Sequence, residues 1–250
     1  MDNLQLLIDL HIDGQRLGPG GDAQTALALA LSGLADGRNL KVADIGCGTG
    51  ASTMLLARKL DAQITAIDLI PEFLDVLKHN AAAAGLSARL DTQAVSMDAM
   101  PFADASLDAI WSEGAIYNIG FEHGINAWKR YLRPGGILAV SELTWLTAER
   151  PEELQQHWDS EYPETATASH KIAQLEAAGY TIRGYFPLPQ ECWLQNYYDP
   201  LRDRFDHFLK RHGSSARAQA IVQAERAEID LYERHADYVS YGFYIAQKRP

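Results

Sequence analysis

The sequence predicts an α/β protein: a doubly wound, Rossmann-like, mostly parallel sheet of seven strands, with helices on both faces and helical lid insertions. Three observations carry this. Short apolar runs alternate with helical periodicity through the first two-thirds of the chain, the pattern of a parallel sheet built from βα units. One such run, Val42 to Ile45, leads straight into glycines at 46, 48 and 50 and then into a helical stretch. Asp68 closes the next run, where a carboxylate faces the ligand crevice of such sheets.

The elements follow in order. Asp22 starts a helical run over Gln24 to Leu34, and Asp36-Gly37 stops it. Leu40 to Ile45 is a strand, Ser52 to Leu60 a helix and Ile64 to Ile67 a second strand. Pro71 sits where a first helical residue tolerates proline, because its missing N–H would be unpaired anyway. That helix runs to Ala84, with Gly85 as its C′ residue. Strands at Arg89 to Val95 and Leu107 to Trp111 follow, then a helix from Ile125 to Leu132 that ends before Pro134-Gly135-Gly136. Ile137 to Ser141 is the fifth strand. The last third is more aromatic: a short helix from Pro151 to Asp159, a helix from His170 to Ala178, and a strand from Tyr180 to Phe186. Leu201, Phe205, Phe208 and Leu209 hold helical spacing within Pro200 to His212. A second helix runs from Ala216 to about His235, and Val239 to Ala246 alternates as a final strand. The reading is one domain over 1–250, with lid insertions at 145–168 and 190–237.

At 250 residues, 47% of them apolar, the chain can bury a sizeable core. Twenty-two basic residues against 33 acidic ones leave a net charge of −11, which repels polyanions at long range. Nucleic acid and membrane insertion are therefore not expected, and a small-molecule partner is. Asp2 and Asp9 and the missing basic region argue against a signal peptide. Two distant cysteines, Cys47 and Cys192, form no disulfide framework, and a cytoplasmic setting is expected. The histidines form no zinc-like spacing, so no metal is expected.

Glycine lets the backbone turn tightly and approach a ligand with no Cβ in the way. The helix after it presents free N–H donors suited to a carboxylate or phosphate. Gly46, Gly48 and Ala51, with Asp68 as acidic partner, also satisfy the dinucleotide pattern G-x-G-x-x-A. An NAD-dependent oxidoreductase is thus the alternative. Asp44 weighs against it, because a carboxylate there would lie near the phosphates of NAD but would pair well with the ammonium of a methionine moiety.

The run Asp44-Ile45-Gly46-Cys47-Gly48-Thr49-Gly50, with Asp68, Ser96-Met97-Asp98-Ala99-Met100-Pro101-Phe102, Leu107 to Trp111 and Tyr131-Leu132-Arg133-Pro134-Gly135-Gly136, resembles the class I methyltransferases that use S-adenosylmethionine. The resemblance spans about Leu40 to Leu143 and is nearest to the ubiquinone/menaquinone-biosynthesis-like branch. It implies transfer of a methyl group from S-adenosylmethionine to a small-molecule acceptor; a non-catalytic S-adenosylmethionine-binding protein is the other alternative. It also implies cofactor contacts at Asp44, Gly46, Cys47, Gly48, Gly50, Asp68, Leu69, Met97, Asp98 and Glu113, with Asp98 on the adenine amino group. Gly18-Pro19-Gly20-Gly21 is either a cover over the methionine end of the cofactor or a plain loop and N-cap.

Methyl transfer needs alignment and exclusion of water more than any one catalytic group. A base is needed only for a protonated acceptor. The candidates, all at the rim where acceptors meet the methyl, are Glu113 as base or cofactor ligand, Tyr117 steering the acceptor, and Glu142 as an acceptor-site carboxylate. His157, Trp158 and Tyr162 fall in the first expected lid segment, and Cys192, Trp193, Tyr197 and Tyr198 just after the sixth strand, where aromatics line a pocket, cage a cation or pack the insertions down.

Overall fold

The structure is a computed structural model and describes residues 2–250. Its strands are β1 (Leu40–Ile45), β2 (Ala62–Asp68), β3 (Leu90–Ala94), β4 (Leu107–Glu113), β5 (Leu132–Trp145), β6 (Ala166–Thr167), β7 (Tyr180–Pro187) and β8 (Val239–Lys248). The sheet order is β3-β2-β1-β4-β5-β8-β7, with the two-residue β6 paired to the end of β5. β8 alone runs against its neighbours. The expected seven strands are all present, and β6 makes an eighth; two residues carry too little periodicity to be read.

The helices are α1 (Asn3–His11), α2 (Asp22–Ser32), α3 (Ala51–Lys59), α4 (Pro71–Ala83), α5 (Phe121–Trp128), α6 (Glu152–Glu161), α7 (Ala168–Ala177), α8 (Gln190–Trp193), α9 (Asp199–Arg211) and α10 (Ala216–His235). Alternate residues of the central strands feed opposite faces, as period-2 geometry requires. Val42, Ala109, Trp111 and Ala139 pack toward α1, α2, α9 and α10. Ala43, Ile45, Ile110, Leu138 and Val140 pack toward α5 and α7. A strand buried on both faces is a continuous apolar run, which is why β1, β4 and β5 stand out in the sequence.

Three departures have plain causes. Helix α5 starts at Phe121, four residues earlier than expected, because Gly120 turns the chain at φ 85° and Phe121 is fully buried. Strand β5 continues through Pro134-Gly135-Gly136, which the register shift between Leu107 and Ala109 accommodates. Helix α1 was not expected at all: Asp2 caps it by accepting from the Gln5 N–H at 2.9 Å, and Leu6 and Leu10 join the core beside α9.

The segment expected as a second lid insertion, 190–237, also packs into the core. Trp193, Tyr198, Leu201, Phe205 and Ile229 belong to the same buried cluster as Val42 and Ala139 of the sheet. The α8–α10 unit is therefore held by core packing.

Lys171 of α7 and Glu142 of β5 form an ion pair at 3.2 Å, with both side chains fully buried. The ammonium lies 4.4 Å over the Phe121 ring and 5.4 Å from the Tyr162 ring. Removing one partner of such a pair strands the other charge, whereas removing both is often tolerated. Lys171→Met should lower stability in urea unfolding at neutral pH by about 3–5 kcal/mol, and adding Glu142→Leu should restore most of it. A single variant as stable as the double would show that Glu142 is not left as an unpaired charge in the interior.

Candidate functional site

Strand order reverses between β1 and β4, and ligands of doubly wound sheets bind outside the carboxyl ends at that point. The structure brings together there Asp44 to Gly50 after β1, Asp68 after β2 and Glu113 to Tyr117 after β4. The loop after β1 turns on left-handed glycines, Gly46 at φ 69° and Gly48 at φ 54°. A Cβ on Gly48 would come within 2.8 Å of Leu17 Cδ1, so the chain before α2 lies directly on the loop.

Asp44 is wholly buried. Its Oδ2 accepts from Ser52 at 2.8 Å and Thr53 at 2.5 Å, both on the first turn of α3. Its Oδ1 has no hydrogen-bond partner. Burial pushes this carboxyl up to about 7, against the pull of the Thr53 and Ser52 hydroxyls. A buried acceptor left open is costly unless a ligand fills it. Asp68 is held by backbone: Oδ2 accepts from Gly48 N and Oδ1 from Ile70 N, each at 2.9 Å. Burial raises its carboxyl as well, with those amides opposing. Leu69 beside it is 67% exposed, and the Met97 methyl reaches toward Gly46. Asp98 stands further out, 3.2 Å from His123 Nε2 with both side chains about half exposed. Cys47 is buried and free, and burial holds its thiol neutral.

Glu113 is more tightly held than its sequence position suggests. Oε2 accepts from Arg16 Nη1 at 3.1 Å, and Oε1 accepts from Thr25 Oγ1 at 2.7 Å and Trp111 Nε1 at 2.9 Å. Both oxygens are occupied, so the arrangement fits a fastener better than a free base. Its partner Arg16 also reaches Asp22 at 2.9 Å. Sequence reasoning missed Arg16 and Thr25; a lone arginine in a loop gave no signal. Thr49 Oγ1 donates to Gly14 O at 3.0 Å, a second tie between the N-terminal segment and the glycine loop. The two readings of Gly18 to Gly21 both hold in part: Gly18 and Pro19 lie over the cleft, and Gly21 is the N-cap of α2.

Beyond the cleft opens a cavity of about 860 Å³. Tyr117 lines it, edge-on to Tyr162 with ring centres 6.0 Å apart. Trp193, Tyr197 and Tyr241 line it too, and α1, α6 and α10 wall it. Glu142 does not reach it; its carboxylate lies behind the wall with Lys171, raised by burial to about 7 despite that lysine. The narrow cleft around the glycines and this cavity share Leu17, Gly18, Pro19 and Gly114 as a common wall. No group of metal-ligating side chains occurs among the described residues. No helix among them is long and apolar enough to cross a membrane.

Comparison with known proteins agrees with this geometry. Residues 42–136 match the family model described as a methyltransferase domain. A dimethylglycine N-methyltransferase from Parasynechococcus marenigrum is 26% identical over 203 residues, 80% of this chain and 66% of that protein. The chain spans between 37% and 66% of the length of the first curated relatives it matches. The fold is shared with a SAM-dependent methyltransferase from Geobacter sulfurreducens solved with S-adenosyl-L-homocysteine, at TM-score 0.85, 18% identity and 98% of both chains. It is also shared with the [4+2]-cyclase SpnF, at TM-score 0.76, 22% identity, 98% of this chain and 92% of that one.

Asp44 yields a stability prediction. Its carboxyl, pushed up to about 7 from the ordinary aspartate value of 3.8, holds the proton more tightly in the folded state. The sign follows: the unliganded protein is most stable below the unfolded value and loses stability as pH rises toward 7. Asp44→Asn, which keeps the shape and removes the charge, should raise the melting temperature of the unliganded protein at pH 8 and change little at pH 4. A rough ceiling on the gain is about 4 kcal/mol. Equal effects at both pH values would show that Asp44 is not the titrating group.

Proposed function

We propose that this chain, whose residues 42–136 match a methyltransferase-domain family model, transfers the methyl group of S-adenosylmethionine to a small-molecule acceptor held in the cavity of about 860 Å³. The observation that carries the reading is the shared wall: cofactor cleft and cavity meet at Leu17, Gly18, Pro19 and Gly114.

The residues fit the cofactor. Asp44 Oδ1, buried and without a partner, suits its ammonium. The Asp68 carboxylate, fixed by two backbone amides, retains lone pairs for the ribose hydroxyls. Leu69 and Met97 offer apolar surface to the adenine, and Asp98 an acceptor to its amino group. Gly46, Cys47, Gly48 and Gly50 supply the close backbone. When bound, the cofactor supplies a methyl group already activated on a sulfonium. The protein's work is then to align the acceptor and exclude water. Tyr117 orients the acceptor from the cavity side. Glu113 keeps the 15–19 segment down through Arg16. Glu142 stays paired with Lys171 in the interior. The segments 145–168 and 190–237 roof the cavity.

The ubiquinone/menaquinone-biosynthesis-like branch belongs to this proposal on the runs Ser96 to Phe102 and Leu132 to Gly136; it concerns the nucleotide half and leaves the acceptor open. A cytoplasmic setting is proposed on two buried, free cysteines. A second reading, a non-methylating enzyme on the same fold, is favoured by the likeness to a cyclase.

Calorimetry with S-adenosylmethionine, S-adenosylhomocysteine and NAD tests the reading. The first two should bind, Asp68→Ala should weaken both at least about tenfold, and NAD should give no heat. Binding of NAD alone would overturn the proposal. Binding without label transfer from a methyl-labelled donor to any of a broad panel of acceptors would favour the second reading.

A further inference from the structure

The acceptor cavity carries a charge pattern that methyl transfer by itself does not demand. Its wall holds four carboxylates, Glu153, Glu161, Glu225 and Glu228, and no lysine. Its one arginine, Arg234, is taken: the guanidinium forks onto both Glu153 oxygens at 2.7 and 3.0 Å. His11 Nε2 lies 3.6 Å from Glu225. Glu228 has no cation within ion-pair distance among the described residues; its Oε1 accepts the Tyr198 hydroxyl at 2.9 Å. Burial, with Glu225 adding to it, raises the Glu228 carboxyl.

Aromatic rings close the same space. Tyr117, Tyr197 and Tyr241 line the cavity together with Glu228, and burial raises the hydroxyl of each, with the charge of Glu228 adding to it. Tyr241 also stacks over Gly114, where cavity and cleft meet: a Cβ on Gly114 would lie 2.9 Å from its ring. The mouth is apolar, with Leu4 and Leu7 of α1 and Leu231 of α10.

We propose that the acceptor is a cation, an ammonium group on an apolar body, bound with its charge against Glu228 and the faces of Tyr117, Tyr197 and Tyr241. This deepens the methyltransferase reading and rests on it. An ammonium meets both a carboxylate and aromatic faces favourably. A neutral acceptor would leave a partly desolvated carboxylate without a counter-charge. A phosphate- or carboxylate-bearing acceptor would meet Glu161, Glu225 and Glu228, with the imidazoles of His11 and His157 as its only basic neighbours outside the Arg234–Glu153 pair.

The test uses the intact protein saturated with S-adenosylhomocysteine and three probes of similar size: benzyltrimethylammonium, its uncharged carbon isostere neopentylbenzene, and 3-phenylpropionate. Binding is followed by the fluorescence of the cavity residues Trp158 and Trp193. The ammonium should bind at least about tenfold more tightly than the hydrocarbon, and the anion should not bind. Glu228→Gln should reduce the ammonium affinity about tenfold while leaving the S-adenosylhomocysteine affinity unchanged, which also shows that the variant is folded. Equal affinity for ammonium and hydrocarbon, preference for the anion, no binding of the ammonium, or an unaltered Glu228→Gln protein would overturn the inference. Failure of S-adenosylhomocysteine to bind the native protein would instead remove the methyltransferase reading, and a selective ammonium site would survive it.

Discussion

A single buried carboxylate organises the ligand-binding end of this molecule. Asp44 lies at the last turn of the central strand, out of reach of solvent, and is satisfied on one oxygen only. For Ser52 and Thr53 to reach it, α3 must begin directly above the strand. The chain must therefore reverse within the few residues between, and left-handed backbone at Gly46 and Gly48 permits that. The same reversal brings the Gly48 N–H onto Asp68, so the end of β2 is fixed by the turn after β1. Displacing any one of these points would displace the others. The open Asp44 oxygen is a cost retained in the fold.

The N-terminal segment is the second organising element. Arg16, held by Glu113 at the end of β4 and by Asp22 at the start of α2, lays Leu17 onto the glycine turn. Thr49 grips Gly14 from the opposite side. Asn196 adds a hydrogen bond to Gly20 O at 2.8 Å, so the α8–α9 junction also takes part. The cover over the cleft is thus built from three distant parts of the sequence.

That division explains what could be read beforehand. The strands β1, β4 and β5 and the turn after β1 are local: continuous apolar runs and glycine spacing announce them without reference to anything else. Asp44 and Asp68 are legible for the same reason, since position after a strand fixes their direction. The roles of Glu113 and Glu142 were not legible. Glu113 ends β4 and Glu142 lies three residues before the end of β5, but one is fastened by Arg16 and the other turned inward onto Lys171, partners 97 and 29 residues away. Helix α1 was missed because its apolar face serves α9 and the cavity, and nothing within nine residues declares such a partner. Within the expected lid segment, aromatic residues at 193–208 mark core packing as well as a cover.

The cavity wall draws on Leu4 at one end of the chain and Tyr241 at the other. The glycine turn needs only the stretch from β1 to β2, whose contacts are close in sequence. The two halves of the site therefore differ in contact order, and chain closure must be complete before the larger one exists. On a ribosome the nucleotide half has all its residues early, whereas the cavity has no floor until the last strand has been made and inserted between β5 and β7.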